Sequence, residues 1–253
     1  MNLAYLISAH TDAPQLRRLI LSLHPDAHFF IHIDKKSDIS EFTSLIKSRN
    51  VHFLEKRINV RWGTILEVEY QMELIKAALD YPLYFDRLFF LSGMDYPLWT
   101  NEHILELLDR NRNKEYIQGL RMDTECVSEE QRQLYSIPRP FVNSARLSDK
   151  WNVRLGILKR KMGKMIGKRK PLEFIVTPVV GNHPAVLPQP EIWYLYKGSA
   201  WWCISSELAS YVYDTYAYRP EVREYFIDSF GPAETLIQTI VFNTHELAEK
   251  SIL

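Results

Sequence analysis

Apolar and polar positions alternate along the first half of the chain in blocks that predict strands followed by helices. Short apolar runs at residues 3–7, 28–33 and 51–54 have the length of buried strands. Between them, apolar residues recur every three or four positions, which is the spacing of a helix with one buried face. Alternating strands and helices are typical of a parallel sheet. The pattern therefore predicts an α/β fold with a Rossmann-like, mainly parallel central sheet and flanking helices.

Polar residues at the block boundaries predict where the helices begin. Thr11 or Asp12 can cap the first helix, and Thr64 with Glu67 three residues later matches a capping box. An apolar strand ends at a Ser92-Gly93 turn. Further elements are expected as a helix over residues 101–108, a strand over 115–120, and a strand over 199–204 followed by a helix that Ser205 or Ser206 caps.

The second half is less regular. Residues 121–150 are polar and predict a loop with a short helix, and residues 177–192, with four prolines, predict an extended connector. Residues 154–170 carry eight basic side chains and no acidic one, interleaved with apolar residues. Such a segment is either a solvated basic helix or a helix that lies on an anionic membrane surface.

Composition narrows the class of protein. The 253 residues contain 31 basic and 31 acidic side chains, so no overall charge favours nucleic acid. The pattern of a signal peptide, a run long enough to cross a membrane, and the Gly-rich motifs of kinases and dehydrogenases are all absent from the sequence. We expect one soluble, cytoplasmic domain.

Two carboxylates stand out as candidate site groups. Asp95 follows a buried strand, at the edge of the sheet where ligands bind in α/β proteins. No second acid lies beside it, so the paired carboxylates that hold a divalent ion in many sugar-nucleotide enzymes are missing. Glu234 follows Gly231-Pro232 in the first turn of a predicted helix. There it is either a residue that the helix dipole favours or a general base that free backbone N–H groups keep ionised.

Other side chains compete for roles on weaker signals. His10 follows the first strand, and Gly63 after Arg61-Trp62 permits close backbone approach to a ligand. Trp201 and Trp202 are predicted to point to opposite faces of a strand, so one is core and the other is free to stack on a sugar or base.

Taken in chain order, six short segments resemble one family. They are Ser8-Ala9-His10, His32-Ile33-Asp34-Lys35-Lys36, Arg61-Trp62-Gly63, Leu91-Ser92-Gly93-Met94-Asp95-Tyr96-Pro97-Leu98, Lys197-Gly198-Ser199-Ala200-Trp201-Trp202 and Gly231-Pro232-Ala233-Glu234. This order resembles the core-2/I-branching β-1,6-N-acetylglucosaminyltransferases, a family that also contains peptide O-xylosyltransferases.

The resemblance implies a GT-A-type glycosyltransferase in one domain, with residues 1–120 binding the nucleotide and residues 121–253 binding the acceptor. It implies inverting transfer from a UDP-sugar, with no metal or other cofactor and with Glu234 as general base. The donor-binding residues it implies are Ser8, His10, Asp34, Arg61, Trp62 and Asp95, and those for a glycan or lipid-linked acceptor are Trp201, Trp202 and Arg132.

One departure from the family pattern concerns the diphosphate. The family has a basic pair beyond the helix that carries the base, whereas this sequence ends at Leu253 without one. We expect either a missing C-terminal segment or a substitute among Arg61, Lys35 and Lys36. The transferred sugar is expected to be N-acetylglucosamine, with xylose as the alternative. A catalytically silent sugar- or nucleotide-binding protein of the same fold is the rival of another class. A cytoplasmic enzyme of polysaccharide synthesis would contact the membrane through residues 154–170.

Overall fold

The computed structural model describes residues 1–139, 151, 154–158, 161–162, 169–177 and 190–251. The strands are β1 (Leu3–Ala9), β2 (His28–Ile33), β3 (Val51–Phe53), β4 (Arg87–Ser92), β5 (Leu120–Arg121), β6 (Glu173–Val176), β7 (Glu191–Tyr194), β8 (Tyr196–Lys197) and β9 (Trp202–Ile204). The helices are α1 (Ala13–Ser22), α2 (Ile39–Leu45), α3 (Leu66–Leu79), α4 (Asn101–Arg110), α5 (Glu129–Ser136), α6 (Ser206–Tyr218), α7 (Pro220–Phe226), α8 (Leu236–Phe242) and α9 (His245–Lys250), with a 3₁₀ turn at Pro232–Glu234. Residues 154–158 are also helical.

A five-stranded sheet forms the centre of the molecule, in the order β3-β2-β1-β4-β9. The first four strands are parallel, and β9 is antiparallel to β4. This confirms the predicted α/β fold with a mainly parallel sheet. Two antiparallel pairs, β5 with β8 and β6 with β7, lie outside the sheet.

Apolar side chains cover both faces of this sheet, which is why its strands are continuous apolar runs. On one face, Leu6 and Phe90 pack with α3, α6 and α8. On the other, Tyr5 and Phe29 pack with α1 and the buried side of α4. Tyr5 stacks on Phe29 and Phe89 of the two neighbouring strands, with ring centroids 5.5 and 4.9 Å apart. The core therefore has two parts with the sheet between them.

Helix caps follow the sequence signals closely. The Asp12 side chain accepts a hydrogen bond from the Gln15 amide at 2.9 Å, and Ser205 accepts one from the Leu208 amide at 3.2 Å. The capping-box prediction was wrong in its detail. Helix α3 begins at Leu66, and the Glu67 carboxylate accepts from the amide of Gly63 at 2.7 Å rather than from that of Thr64.

Three predicted elements differ from the observed ones. The strand expected over 115–120 is reduced to isolated bridges of Glu115 with Ser251 and of Tyr116 with Cys203, and strand β5 begins only at Leu120. The strand expected over 199–204 starts only at Trp202. The extended connector expected over 177–192 ends in strand β7, while its residues 178–189 lie outside the described residues.

The basic segment is only partly described. Arg154, Lys161, Arg169 and Lys170 are the basic residues of 154–170 that the structure describes. The Lys170 ammonium is buried, where it pairs with Asp228 and donates to the Ser229 hydroxyl at 2.9 Å. Lys170 is therefore held against the protein and differs from the solvated or membrane-facing basic residues that the segment's pattern offered. Over the described ranges, the helices are all too short or too polar to span a bilayer.

Candidate functional site

A cavity of about 440 Å³ opens at the carboxyl ends of the parallel strands. Parallel α/β sheets place ligands at this edge, because loops diverge there and leave a crevice. The ends of β1 and β4, the loop after β2, the start of α3 and the two loops before β9 and α8 all contribute to its wall. The cavity is lined by Ser8, His10, Asp34, Lys36, Val60, Trp62, Gly63, Glu67, Tyr70, Gln71, Phe90, Leu91, Ser92, Ala200, Trp201, Phe230, Gly231, Ala233 and Glu234.

Three residues expected to bind the nucleotide meet on one side of the cavity. Ser8 and His10 come from the end of β1, and Asp34 directly follows β2. Asp34 is buried, and its carboxylate accepts a hydrogen bond from the Lys36 amide at 2.9 Å. The Lys36 ammonium lies 3.4 Å from the same carboxylate and donates to the Val60 carbonyl at 2.6 Å. This side therefore combines a fixed carboxylate with a cation at the cavity wall.

The loop before α3 supplies an exposed aromatic ring. Trp62 is 80% exposed, and its ring meets the edge of Phe230 with centroids 5.6 Å apart. Gly63 has φ +73°, and a Cβ atom there would lie 3.2 Å from the Phe230 ring, so the backbone needs glycine at this point. Arg61 precedes this pair, but it is not one of the lining residues; its carbonyl accepts from the Thr64 hydroxyl at 2.7 Å.

Asp95 lies behind the cavity wall rather than in it. One of its carboxylate oxygens accepts from the Ser92 amide at 2.7 Å and from the Trp201 indole N–H at 2.6 Å. Trp201 lines the cavity and is half-exposed. Asp95 is therefore joined to the cavity through the ring of Trp201, whose N–H it holds with one carboxylate oxygen.

Two residues expected to bind the acceptor lie elsewhere. Trp202 is buried and stacks on Phe90 with centroids 5.5 Å apart, so it belongs to the core and not to the cavity lining. Arg132 of α5 donates to the Thr124 carbonyl at 2.6 Å and is also not a lining residue. Trp202 and Arg132 thus lie outside the cavity lining, and of the three acceptor candidates Trp201 alone lines the cavity.

Glu234 lines the same cavity. Its carboxylate accepts a hydrogen bond from the Tyr135 hydroxyl at 2.9 Å, and the Lys197 ammonium is 3.3 Å away. Its backbone carbonyl accepts from the Gly198 amide at 2.9 Å, and Gly231, with φ +58°, begins the turn that carries it. The sequence predicted backbone N–H groups as partners of the carboxylate. That detail was wrong, since a single 3₁₀ turn replaces the expected helix start.

Glu67 is a functional candidate that sequence reasoning assigned only to a helix cap. It lines the cavity from the first turn of α3, and burial, together with the charge of Glu234, raises the pKa of its carboxyl to about 7. The hydrogen bond from the Gly63 amide acts in the opposite direction. The same Glu234 charge, after burial, raises the pKa of the Tyr135 hydroxyl far above its usual range. Glu67 and Glu234, two of the carboxyl groups that line the cavity, thus lie in different surroundings.

Cations near the cavity bear on how a diphosphate would be held. Of Lys35, Lys36 and Arg61, which the sequence offered as substitutes for a basic pair, only Lys36 lines the cavity. Among the described residues, no group of three His, Cys, Asp or Glu side chains has the arrangement of a metal site. His10 and Lys36 are therefore the lining residues that can carry positive charge.

A profile described as Core-2/I-Branching enzyme matches residues 3–252. The chain belongs to the Core-2/I-branching enzyme family. The family is one of glycosyltransferases, as the six segments predicted.

Similarity to individual members of this family is modest. Homo sapiens xylosyltransferase 2 is 31% identical over 125 residues, which cover 47% of this chain and 14% of that protein. Drosophila pseudoobscura pseudoobscura xylosyltransferase oxt is 24% identical over 148 residues, which cover 56% of this chain and 16% of that protein. The chain thus matches only 14% to 16% of the length of these relatives.

One solved structure gives a more distant comparison. The 4-diphosphocytidyl-2C-methyl-D-erythritol synthase of Anaerococcus prevotii DSM 20548 aligns with 85% of this chain and 74% of its own length. Its sequence is 12% identical and the TM-score is 0.39.

Proposed function

We propose that this chain transfers a sugar from a UDP-sugar to a hydroxyl group of a glycan acceptor, with inversion at the anomeric carbon and without a metal ion. One observation carries the proposal. Glu234 lines the same cavity as Ser8, His10 and Asp34, so a carboxylate base shares one cavity with the strand ends that would hold the nucleotide.

The reaction needs one base and one leaving group. Glu234 takes the proton of the acceptor hydroxyl while that oxygen attacks the anomeric carbon. The bond from this carbon to the diphosphate oxygen breaks as the new glycosidic bond forms, and UDP leaves with the electron pair. A single displacement needs one carboxylate, unlike the acid–base pair of a glycosidase. Tyr135 and Lys197 hold the Glu234 carboxylate toward the acceptor side.

The donor side follows from the lining residues. Asp34 accepts hydrogen bonds from donor hydroxyl or amide groups, and Lys36 with His10 offsets the charge of the diphosphate. Trp62 and Trp201 supply rings on which a sugar or base can stack. We propose N-acetylglucosamine as the sugar. Xylose is the second candidate, since the relatives named above are xylosyltransferases.

Substitution of the base tests the proposal directly. Glu234→Gln is expected to lower the rate of transfer from a UDP-sugar about 100- to 10,000-fold, because general base catalysis contributes that factor. UDP affinity, measured by calorimetry, should stay unchanged. Glu246→Gln, on the exposed start of α9, is the matched control and should retain full activity.

Two outcomes would contradict the proposal. Transfer by Glu234→Gln at the wild-type rate would remove Glu234 as the base. Wild-type protein that binds UDP-sugars but transfers none to any glycan tested would favour the catalytically silent binding protein.

A further inference from the structure

Gln71 is a buried side chain whose amide is unpaired within the part of the chain that the structure describes. It lies in the second turn of α3 and is 0% exposed. Neither its amide nitrogen nor its amide oxygen has a hydrogen-bond partner among the described residues. Native proteins pair most buried polar groups, and an unpaired amide destabilises the fold. A molecule bound beside such a group can supply the missing hydrogen-bond partner.

The position of Gln71 shows where that partner would be. Glu67, Tyr70 and Gln71 recur at helical spacing on one face of α3, and all three line the cavity. The wall nearby is largely apolar, with Phe90, Leu91, Ala200 and Ala233. A molecule that fills the cavity is therefore the available partner for the Gln71 amide.

The chemistry of an amide selects among the parts of a nucleotide sugar. The amide nitrogen only donates hydrogen bonds, and the amide oxygen only accepts them. A phosphate oxygen only accepts, so it would leave the Gln71 oxygen unpaired. A uracil base, a ribose hydroxyl and the transferred sugar each donate and accept, so each can satisfy both atoms. Of these, the transferred sugar is the part that must lie beside Glu234, and the turn that carries Glu234 packs against α3.

We propose that Gln71 binds the transferred sugar by donating and accepting hydrogen bonds, and that it is a specificity-determining residue of this cavity. The inference rests on the proposed function, since it takes a UDP-sugar as the ligand. It adds that recognition of the sugar resides on α3, the helix against which the turn that carries Glu234 packs.

The test separates binding of the sugar from binding of the nucleotide. Gln71→Met keeps the volume of the side chain and removes both amide atoms. Calorimetry with UDP, UDP-N-acetylglucosamine and UDP-xylose should show unchanged affinity for UDP. For the nucleotide sugar that the wild type binds best, affinity should fall ~10-fold, in line with the loss of hydrogen bonds to a buried amide. Without ligand, the melting temperature should equal or exceed that of the wild type.

A matched control removes an unpaired polar atom away from the cavity. Thr215 of α6 is buried, and its hydroxyl has no partner among the described residues. Thr215→Val should leave all three affinities unchanged. If Gln71→Met binds each ligand as the wild type does, the inference is overturned and the proposed function stands. If the wild type binds neither UDP nor either UDP-sugar, both fail.

Discussion

At the scale of single residues, the cavity sets two carboxyl groups in different surroundings. Glu234 is partly exposed and pairs with Lys197 and Tyr135. Glu67 is more deeply buried, and its carboxylate accepts a hydrogen bond from the Gly63 amide. Two carboxyl groups in such different environments can take different roles in one reaction. We assign the base to Glu234, while Glu67 holds a proton over part of the neutral range and can donate a hydrogen bond to the ligand.

The raised pKa of Glu67 predicts how stability depends on pH. The pKa is about 7 in the fold against 4.5 for the unconstrained group, so between these values the folded chain binds more protons than the unfolded one. The free energy of unfolding therefore falls as pH rises from 4.5 to 7. Glu67→Gln removes this loss, and we expect it to gain about 2 kcal/mol over the wild type across that window, allowing for partial exposure.

Urea unfolding at pH 5, 6, 7 and 8 measures the difference between the two proteins. Glu246→Gln, at an exposed site, should show no such trend. A difference between Glu67→Gln and the wild type that stays constant from pH 5 to 8 would contradict the assignment.

At the scale of elements, sequence signals succeeded where local chemistry decides and failed where distant residues do. The spacing of apolar residues along the sequence predicts strands β1 and β2 and helix α3 correctly. The strand expected over 115–120 is replaced by isolated bridges to Ser251 and Cys203. The Glu115 carboxylate pairs with Arg87 and accepts a hydrogen bond of 2.6 Å from the hydroxyl of Ser205, 90 residues away. No local pattern carries that information.

A comparison of the helix caps at Ser205 and Thr100 distinguishes the stability contributed by a cap from that contributed by the buried contact of Ser205 with Glu115. Each hydroxyl accepts from a backbone amide at the start of a helix, but only Ser205 also donates to a buried carboxylate. Thr100→Ala should lower the free energy of unfolding by about 1 kcal/mol, the usual value of a cap. Ser205→Ala should lower it by about 3 kcal/mol, because a hydrogen bond to a buried charge is lost as well. Equal losses in urea unfolding would show that the Glu115 contact contributes nothing.

At the scale of the whole molecule, the cavity lies between the two halves of the sequence. Residues before 120 supply Asp34, Trp62 and Glu67, and residues after 121 supply Trp201 and Glu234. The family resemblance implied roles for Ser8, His10, Asp34, Trp62, Trp201 and Glu234, and all six line this cavity. Glu67 and Gln71 were missed because, in sequence, a cap and a core helix explain them fully.

A ligand that contacts both halves should stabilise them together. UDP at 100 times its Kd is expected to add ~2.7 kcal/mol to the free energy of unfolding, which corresponds to a rise in Tm of about 5 to 10 °C. Because we propose that cationic side chains replace a metal, the rise should be the same with EDTA present. A thermal melt in which UDP stabilises the protein only with Mn²⁺ would overturn the metal-free mechanism.

The rim of the cavity is joined by a bond that involves no side chain. The amide of Gly231 donates to the carbonyl of Gly63 at 3.3 Å, and both glycines have positive φ. The loop before α3 and the turn that carries Glu234 are therefore joined by a backbone hydrogen bond in addition to the contact of Trp62 with Phe230. Side chains on either loop can be exchanged without cutting this tie. An engineer could thus vary Trp62 or Phe230 in a library that seeks new acceptors, while the base keeps its place.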